Sequence, residues 1–99
     1  MSKIFIVYAH YNEKSFNFAI KETFIKKALD EGHTVDLIDL YKENFDPVFF
    51  GQEPDTEVLD HRNRIEKCDV IVLIAPIWNF RMPAILEGWI DKVLAPPWA

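Results

Sequence analysis

The residues around position 15 carry the first group of side chains and amides suited to binding a ligand. Ser15 is of a residue type that begins helices, and the backbone N–H groups of the first helical turn have no partner within the helix. Such a helix start favours an anion, so the amides of Phe16, Asn17 and Phe18 predict a phosphate site. A ring N–H of His10 and the hydroxyl of Ser15 add two donors.

A second segment offers a different chemistry. It reads Pro76, Ile77, Trp78, Asn79 and Phe80, directly after a continuous apolar run. Exposed backbone beside two large aromatic rings suits a flat heterocycle. The two segments together predict a ligand that has both a phosphate and a planar ring.

Each of these residues also has an ordinary structural interpretation. His10 could simply bind backbone groups near the helix start, and Ser15 is first of all an N-cap. Phe16 is expected to pack in the core, and Trp78 and Phe80 could cover the end of the sheet. The first segment contains no glycine, so it has neither the G-x-G-x-x-G dinucleotide-binding motif nor a P-loop.

Three apolar runs predict the strands that position these segments. Residues 4–9 and 70–75 are continuously apolar, as in strands buried on both faces. Residues 34–40 alternate with Asp36 and Asp39, which indicates a strand at an edge. Successive predicted strands are too far apart in the sequence to be joined as hairpins. They need crossover connections, and helices fill the gaps between them.

Three helices are predicted between and after these strands. The first runs from about Ser15 to Glu31, stops at Gly32 and carries two apolar stripes, one more than a sheet contact needs. The second opens near Asp55. The third spans 82–94, has Pro83 in its first turn and shows strict helical spacing of its apolar residues.

The remaining candidates for chemistry lie mostly on the second helix. Its predicted inward residues are Val58, Leu59, Ile65 and Cys68, and its predicted surface pairs are Asp60/Arg64 and Arg62/Glu66. On this assignment His61 is solvated and Cys68 is inert. His33 is expected in a turn, and the scattered acidic residues suggest neither a paired-carboxylate site nor a metal site.

Composition narrows the class of protein. The 99 residues are 49% hydrophobic and 14% aromatic, which predicts one packed domain over 1–99. A net charge of −5 disfavours nucleic acid or an anionic membrane surface as a partner.

No apolar run approaches the ~20 residues of a spanning helix, and the first residues do not resemble a signal peptide, so a cytoplasmic protein is expected. The single cysteine excludes an intramolecular disulfide and a cysteine-cluster zinc site.

Right-handed crossovers place the first strand between the second and the third, in the order 2-1-3. This is the beginning of the flavodoxin-like order 2-1-3-4-5, and ligands of such sheets bind at the carboxyl ends of the strands. The third strand is then left as an open edge.

The sequence resembles the NAD(P)H:quinone reductase branch of the flavodoxin-like superfamily. The segments that carry the resemblance are 7–10, 15–17, 39–41, 44–47 and 82–93. The resemblance implies an α/β three-layer sandwich and an oxidoreductase of quinone-like acceptors that works by ping-pong hydride transfer. It implies FAD or, in some relatives, FMN, with NAD(P)H as the electron donor and a homodimer as the assembly. By the same analogy His10, Phe16 and Asn17 hold the phosphate side of the flavin, and residues 76–80 line its ring.

Three departures from the family pattern leave an alternative open. Asn79 stands where many quinone reductases have Trp, and the resulting Asn79–Phe80 pair looks more like that of azoreductases. Arg62 stands where some relatives have Gln near the cofactor. Strands 4 and 5, and the part of the flavin site that follows them in the family, are missing from residues 1–99. The alternative is a truncated, non-catalytic interaction module that self-associates through the third strand or the final helix.

Overall fold

The fold alternates strands and helices along the chain. In a computed structural model, which describes residues 1–79, 81–96 and 98, the elements are β1 (Lys3–Tyr8), α1 (Phe16–Asp30), β2 (Thr34–Asp39), α2 (Thr56–Glu66), β3 (Val70–Ile74) and α3 (Ala84–Val93). The strands form one parallel sheet in the order β2-β1-β3. The predicted order and all six predicted elements are confirmed.

The helix starts follow from local hydrogen bonding. The Ser15 hydroxyl accepts the Phe18 amide at 3.0 Å, and the Asp55 carboxylate accepts the Val58 amide at 2.9 Å, so both residues are N-caps. Gly32 follows the C-cap of α1 with φ +86°, a backbone conformation that glycine adopts without steric cost. Pro83 occupies the N-cap position of α3.

The two faces of the sheet are covered differently. The face covered by α2 and α3, here called the α2/α3 face, has a core in which every residue is at most 3% exposed: Phe5, Val7, Ala9, Ile38, Leu40, Phe45, Val58, Leu86, Trp89 and Val93. The opposite α1 face has a smaller core of Ile4, Ile6, Tyr8, Ala28 and Ile74. Both cores have half-buried hydrophobic residues packed around them, such as Tyr41 and Ile65 on the α2/α3 face and Phe24 and Val72 on the α1 face.

Helix α3 approaches the loop before α2 very closely. A Cβ added to Gly88 would lie 2.2 Å from the carbonyl oxygen of Pro47. Only glycine leaves room for this contact, which fixes the loop that follows β2 against the helix that follows β3.

Three expectations about side-chain burial are wrong. His61 is 1% exposed and Leu59 is 54% exposed, because α2 turns Val58 and His61, one helical turn apart, toward the sheet. Phe16 is 79% exposed, because it is the first residue of α1 and lies beyond the part of the helix that packs on the sheet.

The predicted surface pairs of α2 are confirmed in one case and wrong in the other. Nη1 of Arg64 donates to the Asp60 carboxylate at 3.2 Å. Nε of Arg64 also donates to the carboxylate of Asp36, at the edge of the sheet, at 2.9 Å. Arg62 instead donates to the carbonyl oxygens of Val93 and Lys92. No helix in the described ranges has the length and apolar character needed to cross a membrane.

Candidate functional site at the carboxyl ends of β1 and β3

The loop that leaves β1 is held in one conformation by its own side chains. The Nδ1 atom of His10 accepts the Asn12 amide at 3.0 Å, and Oδ1 of Asn12 accepts the Lys14 amide at 2.9 Å. The carbonyl of Asn12 accepts the Ser15 amide at 3.1 Å. Because Nδ1 of His10 is an acceptor, its Nε2 atom carries the proton and is free to donate.

Four aromatic side chains meet at this edge of the sheet. The rings of His10 and Tyr11 stack, with centroids 4.9 Å apart and an interplanar angle of 14°. The centroid of the Trp78 ring lies 5.9 Å from that of His10 and 6.1 Å from that of Tyr11. Tyr41, just after β2, lies 6.2 Å from Tyr11. These four residues are called the aromatic cluster. Tyr11 is 69% exposed and Trp78 is 39% exposed, so the cluster offers ring surface to a flat ligand.

Tyr11 and Tyr41 were missed by the sequence reasoning, although a signal was available. The carboxyl ends of parallel strands lie at one edge of a sheet, so residues just after β1, β2 and β3 must be neighbours. Tyr41 follows β2 by two positions. Burial raises the pKa of the Tyr41 phenol, and the nearby Tyr11 adds to this effect.

The start of α1 supplies fewer free amides than the sequence suggested. Because the Phe18 amide is bound by the Ser15 hydroxyl at 3.0 Å, Phe16 and Asn17 remain as the first-turn donors ahead of the helical hydrogen bonds. The exposed Phe16 ring stands beside these two amides, outside the core. The start of α1 therefore combines two N–H donors with an apolar side chain at the surface.

The second predicted segment forms a tight turn. The Trp78 amide donates to the Arg81 carbonyl at 2.8 Å, and the Arg81 amide donates to the Trp78 carbonyl at 3.0 Å. Asn79 has φ +52°, and asparagine adopts this left-handed conformation more readily than tryptophan does. The turn thus explains why asparagine fits this position. Phe80 lies outside the described residues.

The segment differs in exposure before the turn and borders a cleft at the turn itself. Ile77 is 67% exposed and Pro76 is half-buried. A cleft of about 460 Å³ opens beside the turn, and Trp78, Asn79 and Met82 line it together with Glu87 of α3. The aromatic cluster and this cleft share Trp78.

A buried polar group lies close to the same end of β1. Tyr8 is 1% exposed, and its hydroxyl has no hydrogen-bond partner among the described residues. Burial raises the pKa of this phenol. The ammonium group of Lys21, itself 6% exposed, lies over the rings of Tyr8 and Phe18 at 4.8 and 4.1 Å and is 3.3 Å from Glu22.

The structure also brings together three possible metal ligands that the sequence did not connect. Ligand atoms of Glu43, Glu57 and His61 lie within 4.8 Å of one another. The Trp89 indole donates to Nδ1 of His61 at 3.0 Å, so a neutral His61 carries its proton on Nε2 and has no lone pair left for a cation. Burial lowers the pKa of His61 and raises that of Glu57. Nε2 of the buried His61 instead lies 3.9 Å from a carboxylate oxygen of the exposed Glu43.

Arg62 has a structural role in this chain. Its Nε donates to the Val93 carbonyl at 2.9 Å and its Nη2 to the Lys92 carbonyl at 3.1 Å. A guanidinium group at the C-terminal end of a helix satisfies carbonyls that have no partner within the helix. Its guanidinium also lies 5.1 Å from the centre of the Trp98 ring. Arg62 therefore binds α2 to the end of α3.

Comparison with known proteins gives the family. The flavodoxin-like fold family model matches residues 2–99, and the chain belongs to this family. It is 30% identical to a rat ribosyldihydronicotinamide dehydrogenase [quinone] over 122 residues, which cover 98% of this chain and 53% of the rat protein.

Solved structures agree with this assignment. An NAD(P)H:quinone oxidoreductase from Methanothermobacter marburgensis matches with a TM-score of 0.87 and 30% identity, over 93% of this chain and 53% of that chain. The protein Smu.1420 from Streptococcus mutans UA159 matches with a TM-score of 0.87 and 39% identity, over 98% and 55%. The chain spans about half the length of the relatives it matches.

Proposed function

We propose that this chain binds a flavin at the carboxyl ends of β1 and β3 and belongs to an NAD(P)H-dependent oxidoreductase of quinone-like or azo acceptors. The observation that carries the proposal is the position of the aromatic cluster beside the start of α1. Within one edge of the sheet the chain offers exposed rings of Tyr11 and Trp78 and two first-turn amides. A ligand with a planar ring and a phosphate needs this combination.

The residues present fit the phosphate-bearing side of a flavin. The amides of Phe16 and Asn17 would donate to phosphate oxygens, and Nε2 of His10 would add a third donor. The Ser15 hydroxyl accepts the Phe18 amide at 3.0 Å, which holds the helix start in shape, and its own O–H would be a further donor to a phosphate oxygen.

The ring side of the ligand would meet the second segment. Trp78 and Ile77 present exposed apolar surface there, and the turn at Asn79 fixes the backbone that faces the ring. Pro76 is proposed to line the same wall, as is Phe80, which the structure does not describe. A bound flavin supplies the capacity to accept and return a hydride. The protein's part is to position the flavin and its reaction partners and to exclude water from the site.

The acceptor class rests on the relatives. Two of those described above are named for NAD(P)H or ribosyldihydronicotinamide and for a quinone, and the cleft beside Trp78 offers about 460 Å³ for an acceptor ring. FAD is the proposed cofactor, with FMN as the alternative, and NAD(P)H is the proposed donor. A homodimer and a cytoplasmic location stay predictions.

The test is a flavin titration of the chain and of two histidine variants. Purified protein is mixed with FAD, and separately with FMN, and the flavin absorbance that co-elutes on gel filtration is measured. We expect about one flavin per chain, and weaker binding by His10→Ala because a donor to the phosphate side is removed.

The matched control is His33→Ala. The Nδ1 atom of His33 accepts the Ser2 amide at 2.9 Å, at the amino ends of the strands and far along the sheet from the proposed site. Equal losses in both variants would contradict the site assignment. His61 is unsuitable as a control because it is buried.

The second candidate function is a non-catalytic interaction module. The observation that favours it is the exposed apolar surface of β3, where Val70, Ile71 and Leu73 are 45%, 42% and 43% exposed. A folded protein that remains colourless with both flavins would favour this second function over the first.

A further inference from the structure

Tyr8, the last residue of β1, carries a buried polar group whose use the fold alone does not explain. The residue is 1% exposed, and its hydroxyl has no hydrogen-bond partner among the described residues. An unpaired buried hydroxyl costs stability, and most such groups in folded proteins are paired. Because the hydroxyl is already covered, an element packed on the outer surface of α1 would not reach it. The groups that surround it are therefore the ones to consider.

The Tyr8 ring lies under the first turns of α1. Phe18 packs on the same core, and the Lys21 ammonium lies 4.8 Å from the centre of the Tyr8 ring. That ammonium is 3.3 Å from the Glu22 carboxylate and does not bond the Tyr8 hydroxyl. Ser15 precedes Phe18 by one helical turn and so lies on the same side of α1.

The side chain of Ser15 also influences the Tyr8 phenol. Burial raises the pKa of Tyr8, and the Ser15 side chain lowers it by less. The carboxylates of Asp39, Glu13 and Glu22 raise the same pKa further. The phenol therefore keeps its proton at neutral pH and is a hydrogen-bond donor close to Ser15.

The Ser15 hydroxyl has the capacity for two more hydrogen bonds. A serine hydroxyl has one proton to donate and two lone pairs that accept. The Phe18 amide uses one lone pair, at 3.0 Å. The second lone pair suits a donor such as the Tyr8 phenol, and the proton suits an acceptor at the helix start, such as a phosphate oxygen.

We propose that Tyr8 is a positioning residue of the phosphate site at the start of α1 and that it acts through Ser15. When a phosphate binds, the Tyr8 hydroxyl donates to Oγ of Ser15, and Ser15 donates its own proton outward to a phosphate oxygen. Hydrogen bonds in series polarise one another, so Tyr8 strengthens the outer bond without touching the ligand. The inference rests on the proposed flavin site and adds a buried residue to it.

The first experiment uses inorganic phosphate and the isotope-labelled full chain. The amide signals of Phe16 and Asn17 are followed by NMR as phosphate is added. We expect saturable shifts in the wild type and a dissociation constant roughly two- to tenfold larger in Tyr8→Phe, the range expected for one hydrogen bond. Because no flavin is present, this result does not depend on flavin binding.

The second experiment compares FMN with riboflavin, which lacks only the phosphate. Flavin fluorescence is titrated with the wild type and with Tyr8→Phe. We expect the variant to bind FMN more weakly by the same factor and to bind riboflavin like the wild type. A merely structural role of Tyr8 on the α1 face would weaken the binding of both compounds.

The third experiment tests the route through Ser15. Ser15→Ala should weaken FMN binding, and adding Tyr8→Phe to it should cause no further loss, because Tyr8 then has no hydroxyl to act on. In a Ser15→Thr background, which keeps the hydroxyl, Tyr8→Phe should still weaken FMN binding. The matched control is Ser2→Ala, at the opposite end of β1, where the Ser2 amide binds His33; it should bind FMN like the wild type.

Three results would overturn the proposal. The first is a Tyr8→Phe variant that binds phosphate as tightly as the wild type, as expected if the hydroxyl only held an internal water. The second is an equal loss of FMN and riboflavin binding, and the third is an additive loss in the double variant with Ser15→Ala. A wild type that binds phosphate and neither flavin would contradict the proposed function instead, and the phosphate titration would still judge Tyr8.

Discussion

The two faces of the sheet differ in how completely they are packed and bonded. On the α2/α3 face the core residues are at most 3% exposed, and its buried polar pair, Trp89 and His61, is hydrogen-bonded at 3.0 Å. On the α1 face the core is smaller and its residues are up to 8% exposed, and the Tyr8 hydroxyl has no hydrogen-bond partner among the described residues. The comparison indicates that the α2/α3 face supplies most of the packing, whereas the proposed binding site lies outside it, at the carboxyl ends of the strands.

The largest expected effect is on the α2/α3 face, at Trp89. This side chain is fully buried, its ring lies 6.4 Å from Phe5, and its indole N–H donates to His61. Trp89→Ala should lower the free energy of unfolding by ~3–5 kcal/mol in urea titration. Trp78→Ala is the control with the same change of residue type, and because Trp78 is 39% exposed it should cost clearly less. Equal losses would contradict the claim that the α2/α3 core stabilises the chain more than the exposed turn at Trp78 does.

The next effect concerns the contact between α3 and the loop before α2. Gly88→Ala places a methyl group against the backbone of Pro47, within 2.2 Å of its carbonyl oxygen. Overpacking of this kind costs ~1–3 kcal/mol, which chemical denaturation would measure. A loss below about 0.5 kcal/mol would show that the loop moves aside easily, and the α2/α3 face would then be less rigid than described.

The pH dependence of stability tests the buried polar pair. Burial lowers the pKa of His61 in the folded state, so below pH ~6.5 the unfolded chain binds a proton that the folded chain excludes. Stability should therefore fall as the pH drops from 7.5 toward 5.5, with a slope of at most ~1.4 kcal/mol per pH unit for this one group. His61→Gln keeps an acceptor for Trp89 and does not titrate, so its profile should be flatter over this range. Parallel profiles would contradict the assignment.

The smallest effect is expected on the α1 face. Tyr8→Phe removes a buried hydroxyl that has no partner among the described residues, so it should be neutral or stabilise the chain by about 1 kcal/mol or less. Thermal or chemical unfolding would measure this change. A clear destabilisation would mean that the hydroxyl is bonded after all and that the α1 face is more complete than it is described.

The elements of the fold could be predicted because local sequence determines them. Two continuous apolar runs and one alternating segment predicted the strands to within one residue at their ends. Ser15 and Asp55 marked the helix starts, where their side chains accept backbone hydrogen bonds. His61 could not be placed in this way. Its burial depends on Trp89, 28 positions away, and on which side of α2 faces the sheet, which a short helix with many charges does not reveal.

The candidate site was predictable in outline and not in detail. The order of the strands indicated which loops would meet, since carboxyl ends of parallel strands share an edge. The aromatic cluster depends on side-chain directions, so Tyr41 was overlooked, and the Phe18 amide was counted as free although Ser15 binds it. The presence of asparagine at position 79 is explained by its φ of +52°, which the sequence does not reveal.

The most direct test of the division between the two regions is residue-resolved amide hydrogen exchange of the chain with and without FAD. The account predicts that FAD slows exchange at Phe16, Asn17 and the turn at Trp78–Asn79, where ligand contacts are proposed. Amides in the middle of α2 and α3 should be well protected in both samples and change little, because the packed face does not depend on a ligand. Slowing confined to α2 and α3, or no change at the start of α1 when FAD is bound, would contradict the account.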